Sequence, residues 1–277
     1  MHTGAKTVKG KPSIAAKPPQ LRDARLVQRT STGIARVTTA VDFVRALKQP
    51  DIIAAILERP KLEHALTAYR SREGTNATYR ALFEVDHVIL PQLLENFGVK
   101  DVNDKTLPIH QDGLASHWHI HPRELTVIDI WGASGTWILP DILERASPEA
   151  MRQRNKENPF ALFRYVPDEE VERLQAVPAI APCGSLVALK GFKITKSAEL
   201  NIDAGAIHRT PLDANDINLR QERLGRRPER GATAYGRVDN GASFLAASED
   251  RLVTLLEKQY RDMKSIIDSA LRRLNRK

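Results

Sequence analysis

The chain has 277 residues, a net charge of +8, and 42% apolar against 27% charged residues, which suits a soluble protein able to bury a sizeable core. A single cysteine, Cys183, excludes an intramolecular disulfide framework and any multi-cysteine zinc site, and no run approaches the roughly 18–20 apolar residues of a membrane span. The N-terminus is basic but has no apolar h-region, so the expected location is cytoplasmic, or a target cell reached without a Sec signal peptide.

Residues 1–38 carry eight Lys/Arg against Asp23 alone, a net +7, and are rich in Lys, Pro, Gly and Ala. With Pro12, Pro18 and Pro19 breaking any helix, they read as a basic, disordered arm or linker. Residues 39–277 read as a single α+β domain. Its body is mildly acidic, −5 over 39–218, and basic charge returns as +4 over 219–237. A basic arm attracts polyanions by counterion release without sequence preference.

Three short helices are expected over 39–72. The first is capped by Thr38 or Thr39 and carries Val41, Phe43, Val44 and Leu47. The second starts at Pro50 with Ile52, Ile53, Ile56 and Leu57, and the third at Pro60 with Leu62, Ala65, Leu66 and Tyr69. Residues 81–90, ALFEVDHVIL, read as a strand end, after which Pro91 opens a short helix closed by Gly98. Residues 101–123 read as loop, 125–131 as a strong strand, Gly132–Gly135 as a turn, and 136–139 as extended. Residues 141–157 and 168–175 read as helical, 185–195 as strand, and 203–247 as loop. From 249 to 275, Leu252, Leu255, Leu256, Tyr260, Met263, Ile266, Ile267, Leu271 and Leu274 recur at helical spacing, which predicts a long amphipathic C-terminal helix. No internal repeat is present.

The string EVDHVILPQLL holds Glu84, Asp86 and His87 among apolar neighbours. At a strand end, Asp86 would ligate a divalent cation. His87 would take a proton from water, a task suited to imidazole because it titrates near neutrality. The cation would stabilise charge on a phosphate and its leaving oxygen. The alternative reading is a buried Asp-His pair that stabilises a strand terminus.

At these residues the sequence resembles the His-Me-finger (HNH) nucleases, including the nuclease tips of bacterial polymorphic toxins. The resemblance covers about twelve residues of the 277. It implies a small ββα-metal-like core, about 80–145, within a mainly helical domain. It further implies Mg2+, Mn2+ or Zn2+ as cofactor, His87 as general base, and Asp86 as metal ligand. Glu84 would be an orienting residue or further ligand. In the window for the downstream ligand stand Asp101, Asn103 and His110, with His117 and His121 just beyond. A nuclease of this kind would act on DNA or RNA and would be a toxin or effector with a cognate inhibitor protein.

Ser116-His117-Trp118-His119-Ile120-His121 places alternate histidines on one side of an extended segment, which can gather a metal; on a helix, His117 and His121 would share a face instead. Ile207-His208-Arg209-Thr210 reads either as a turn-rich surface loop or as a phosphate contact or distant contributor to a metal site. Arg220, Arg223, Arg226, Arg227 and Arg230 would suit a phosphate backbone or form a solvated loop. Only 5% of residues are aromatic, which argues against an extensive base-stacking platform. Trp131–Thr136 does not fit a nucleophile elbow, because Thr136 stands where the last glycine should be. Cys183 reads as a small buried residue rather than a nucleophile, and no phosphate-cradling glycine loop is present.

The first expectation is therefore a metal-dependent endonuclease with Glu84 and His87 catalytic, Asp86, His110, His117 and His121 supplying metal ligands, and the five arginines holding nucleic acid. The second is a non-enzymatic α+β protein that binds a polyanion or a protein partner through its arm and Arg-rich loop. The third is a metal-dependent hydrolase of another substrate, built on the histidines of 110–121.

Overall fold

A computed structural model of the chain describes residues 33–72, 74–103, 117–121, 124–132, 135–140, 164–191, 205–209, 231–238 and 241–276. In chain order the elements are β1 (Ile34–Val37), α1 (Ala40–Lys48), β2 (Ala54–Leu57), α2 (Pro60–Ser71), α3 (Asn76–Asn96), β3 (Asp101–Asn103), β4 (His119–Ile120), β5 (Glu124–Asp129) and β6 (Thr136–Ile138). They continue with β7 (Arg164–Tyr165), α4 (Asp168–Arg173), β8 (Ala179–Ala181), β9 (Leu186–Lys190), β10 (His208–Arg209), β11 (Thr233–Arg237), α5 (Gly241–Leu245) and α6 (Glu249–Leu274). The class is α+β, with the long C-terminal helix in place. No helix among the described residues is long and apolar enough to cross a membrane.

The strands form two sheets. One has the order β1-β2-β9-β5-β11-β3, the other β7-β4-β10-β6-β8. The β1–β2 pair is parallel and the remaining pairs are antiparallel. Alternation along each strand sorts its side chains between faces. On the six-stranded sheet, Ala55, Leu57, Leu125, Val127, Leu186, Ala188 and Ala234 face a helical layer made by α1, α2, α3 and α6. Ala54, Ile56, Ile128, Val187 and Leu189 face the other way and pack with Ile138 and Ala181 of the five-stranded sheet. The far side of that second sheet is covered by a smaller cluster of Trp118, Ile120, Leu139, Val166, Val171 and Ile207. At one edge the Arg36 guanidinium on β1 donates to the Ile180 carbonyl on β8 at 3.3 Å, which ties the two sheets together.

Several expected elements are different. Residues 34–37, assigned by charge to the arm, form β1. Residues 52–57 do not form a helix. Their unbroken apolar run is β2, buried on both faces between β1 and β9, a position that removes the polar alternation. Residues 81–90 are not a strand but the middle of α3, with Tyr79, Leu82, Asp86, Ile89, Leu90, Leu93 and Leu94 buried at helical spacing. Pro91 lies inside this helix rather than at its start. The region read as loop over 203–247 contains β10, β11 and α5, and the 101–123 region contains β3 and β4. The helix expected over 141–157 lies outside the described residues. Elsewhere the expected signals act as read. Thr39 caps α1 by accepting from the Asp42 amide at 3.1 Å, and Pro60 stands at the first turn of α2.

A candidate metal centre between the two sheets

The segment Trp118-His119-Ile120-His121 alternates, and its two faces meet different surroundings. Trp118 and Ile120 enter the outer cluster of the five-stranded sheet, while His119 and His121 point into the space between the sheets. A third histidine joins them from β10. Residues 206–209 alternate in the same way, with Ala206 and His208 inward and Ile207 and Arg209 outward. His208 is the register partner of His119. The three imidazoles are buried, and one potential ligand atom from each lies within 4.8 Å of the others. Among the described residues this is the one such group of three or more His, Cys, Asp or Glu side chains.

The hydrogen bonds fix the orientation of the rings. His119 Nδ1 lies 2.7 Å from the His117 carbonyl, and His208 Nδ1 lies 2.8 Å from the Ala206 carbonyl. A carbonyl only accepts, so each Nδ1 carries a proton and donates it. In the neutral ring this puts the lone pair on Nε2. His121 Nδ1 is 2.6 Å from the Thr126 hydroxyl on β5, and the Nε2 atoms of His119 and His121 stand 3.1 Å apart. Two nitrogens bound tetrahedrally at about 2.0–2.1 Å to one zinc ion lie roughly 3.3 Å apart, so the first pair already has the spacing of a shared ion. Two backbone carbonyls and one hydroxyl thus hold the three imidazoles, the support expected around a metal-ligating histidine. Tyr235 of β11, opposite Thr126 in register, brings its ring centroid to 5.6 Å from that of His121.

The residues expected to carry chemistry are dispersed. His121 is in the centre. His117 contributes its carbonyl to His119 but is not one of the three converging rings. His110 and the arginines Arg220, Arg223, Arg226, Arg227 and Arg230 lie outside the described residues. Glu84, Asp86 and His87 share α3, where successive residues diverge by about 100°. Asp86 therefore faces the sheet and is fully buried, whereas Glu84 and His87 face outward, His87 stacking on Phe83 with centroids 5.8 Å apart.

Asp86 belongs to a polar network inside the helical layer. It accepts from Trp131 Nε1 at 2.9 Å and from Gln259 Nε2 of α6 at 2.6 Å. The same Gln259 amide donates to Asp129 of β5 at 2.9 Å, and Asp129 pairs with the buried Arg59. Arg59 also donates to the Gly184 carbonyl and, at 3.3 Å, to Gln259 Oε1. Two buried carboxylates thus share the Gln259 amide, and the guanidinium pairs with Asp129. Burial raises the Asp86 pKa well above its ordinary value, and the neighbouring Asp129 charge raises it further. Both oxygens of Asp86 are used in holding α3 and α6 to the sheet.

His119 and His208 are not among the ligands of the first expectation, although the alternating histidines admit the one and the 207–210 segment the other as a distant contributor. The signal for His119 is the strict alternation of 117–121, which places it on the same side as His121. His208 carried only the alternation of Ala206-Ile207-His208-Arg209, too short to separate a two-residue strand from a loop. Compared with protein-family models, with curated proteins and with solved structures, the chain matches none of them.

Proposed function

We propose that the protein is a metal-dependent hydrolase whose divalent ion is held by His119, His121 and His208. The observation that carries this reading is the convergence of three buried imidazoles, two of them oriented by an Nδ1–H that donates to a backbone carbonyl. Three protein ligands with one coordination position left over is the arrangement of catalytic rather than structural zinc. A bound ion would supply Lewis acidity. The protein's part is to hold three imidazole donors on β10, on β4 and just past the end of β4, and to shelter them beside the apolar layer between the sheets, where charge interactions are strong. Thr126 orients His121 from the opposing sheet.

Nucleic acid is the substrate favoured by charge. The +7 of residues 1–38 and the +4 of residues 219–237 flank a body of opposite sign. The His-Me-finger reading, with a toxin or effector role, assigns the same overall chemistry to a different place, Asp86 and His87. The two separate experimentally. Purified protein is assayed on plasmid DNA and total RNA with Mg2+, Mn2+ or Zn2+, with a chelator control, beside His87→Ala and His208→Ala. The centre between the sheets predicts that His208→Ala abolishes metal-dependent cleavage and His87→Ala retains it. The reverse result would move the chemistry to α3. Metal uptake that His208→Ala abolishes, without cleavage of either nucleic acid, would leave the hydrolase with another substrate. No metal uptake would favour the non-enzymatic polyanion-binding reading.

A further inference from the structure

Immediately behind the three histidines, on the outer face of the five-stranded sheet, runs a second cross-strand row. The pairing of His208 with His119 sets Arg209 beside Trp118, and the β10–β6 register places Arg209 opposite Trp137. The guanidinium carbon lies 4.4 Å from the Trp118 ring centroid and 5.1 Å from that of Trp137. Arg209 Nη1 reaches Asp168 of α4 at 3.2 Å, while its Nε is buried and finds no acceptor among the described residues. The head group is therefore held by two aromatic faces and one carboxylate.

The paired part of β10 is two residues long. A strand that short has little ladder to fix its register, and a slip of one residue exchanges its faces. In β10 such a slip would turn His208 out among the tryptophans and carry the Arg209 charge into the apolar layer between the sheets, where Ile138, Val187, Leu189 and Ala206 pack. Burying an unpaired guanidinium there is strongly unfavourable. Ile207 resists the same slip, but only by the loss of apolar contact.

We propose that Arg209 is a positioning residue of the metal centre: clamped between Trp118 and Trp137, it locks the register of β10 and so holds His208 inward at the ion. This rests on the three-histidine reading above. Arg209 touches neither the ion nor a substrate and acts through the strand it anchors. The arrangement is the sheet counterpart of a supporting shell around a metal ligand, except that the support lies on the opposite face of the same strand.

The test uses the full chain and Co2+ as the probe, read by titration and by the visible absorption of the bound ion, which reports the number and geometry of its ligands. Arg209→Ala is expected to weaken Co2+ binding about 10–100-fold and to alter the absorption of whatever Co2+ remains bound. Arg209→Lys keeps the charge but not the planar stacking surface, and is expected to fall between Arg209→Ala and the unchanged protein. Asp168→Asn removes only the half-exposed ion pair and is expected to stay within about twofold. If Arg209→Ala does not fold, Trp137→Phe, which narrows one wall of the clamp, is measured in its place and is expected to weaken binding in the same direction. A folded Arg209→Ala protein with unchanged affinity and unchanged absorption overturns the proposal. So does lowered thermal stability with an unaltered spectrum, since that is what a merely structural residue would give. Failure of the unsubstituted protein to take up Co2+ overturns the three-histidine reading, and the role of Arg209 with it.

Discussion

His119 and His208 face each other across the β4–β10 pair with ring centroids 4.3 Å apart, although they are 89 positions apart in the chain. Each donates its Nδ1 proton to the carbonyl two residues earlier in its own segment. The repeated motif presents two Nε2 atoms from adjacent strands to one point, and His121 adds the third ring from two residues further along.

Thr126 on β5 reaches the centre from the six-stranded sheet through the 2.6 Å contact of its hydroxyl with His121 Nδ1. Thr126→Val preserves the shape and removes the hydroxyl. The expected outcome is metal affinity lower by about 10–100-fold with little change in far-UV circular dichroism. Calorimetric titration with Zn2+ checks it, and an unchanged dissociation constant would remove Thr126 from the support of the site.

Asp86→Asn leaves two donors, Trp131 Nε1 and Gln259 Nε2, competing for one acceptor. The variant is expected to be less stable by about 1–3 kcal/mol near pH 5. The Asp86 pKa is raised above 3.8 in the folded protein, so the native state binds the extra proton. Its contribution is present in full at low pH and is lost as pH rises through the raised value. The gap between the two proteins should therefore narrow from pH 5 to pH 8. Urea unfolding of the metal-free proteins at four pH values measures this gap, and one that widens would contradict the assignment.

Lys190 is a buried amine on the helical side of β9, donating to the Gln49 carbonyl at 2.7 Å and lying 5.8 Å from the Phe244 ring centroid. Desolvation lowers its pKa to about 7 from 10.5, with Asp51 partly opposing the shift. The unfolded chain binds the extra proton between those values, so this residue makes stability rise with pH across that window, by on the order of 3–5 kcal/mol. Lys190→Met should lack that rise. Its stability relative to the unsubstituted protein is expected to be most favourable at or below pH 7 and to worsen toward pH 10, as read by chemical unfolding. Parallel curves over this range would show that Lys190 keeps an ordinary proton affinity in the fold.

Gly184 has φ of +83°, and a Cβ there would sit 2.6 Å from the backbone nitrogen of Glu63. Its carbonyl also accepts from Arg59. Gly184→Ala is expected to cost at least about 2 kcal/mol, from left-handed backbone strain and a backbone clash that no rotamer relieves. A melting temperature within a degree of the unsubstituted protein would show that the α2 end can shift freely.

The parts of the fold legible in the sequence were those where one period acted alone. The heptad-like spacing of α6, the Thr39 cap, Pro60 at the start of α2, and the apolar run of β5 all produced the expected elements. The segment 79–94 misled because two signals conflicted. Val85, Val88 and Ile89 are β-branched, while the helical spacing Tyr79, Leu82, Asp86, Ile89, Leu93 is interrupted by a charged residue at a core position. Asp86 can occupy that position because Trp131 and Gln259, 45 and 173 residues away, supply its donors. No local pattern encodes those partners. The candidate site was half legible for the same reason: two of its histidines form a local alternation, whereas the third depends on a pairing with a residue 89 positions away.

The Gln259 amide joins Asp86 and Asp129, and it is carried by α6, which follows every other element of the fold in sequence. Synthesis runs from the N-terminus, so both sheets and α3 leave the ribosome before the group that separates their two buried carboxylates. Until α6 arrives, the apolar faces of α1, α2 and α3 lack the helix that covers them, and Asp86 lacks one of its two donors. At a few residues to about twenty residues per second, this interval lasts one to several seconds. Docking of this one helix therefore covers those apolar faces and supplies the missing donor to Asp86 together.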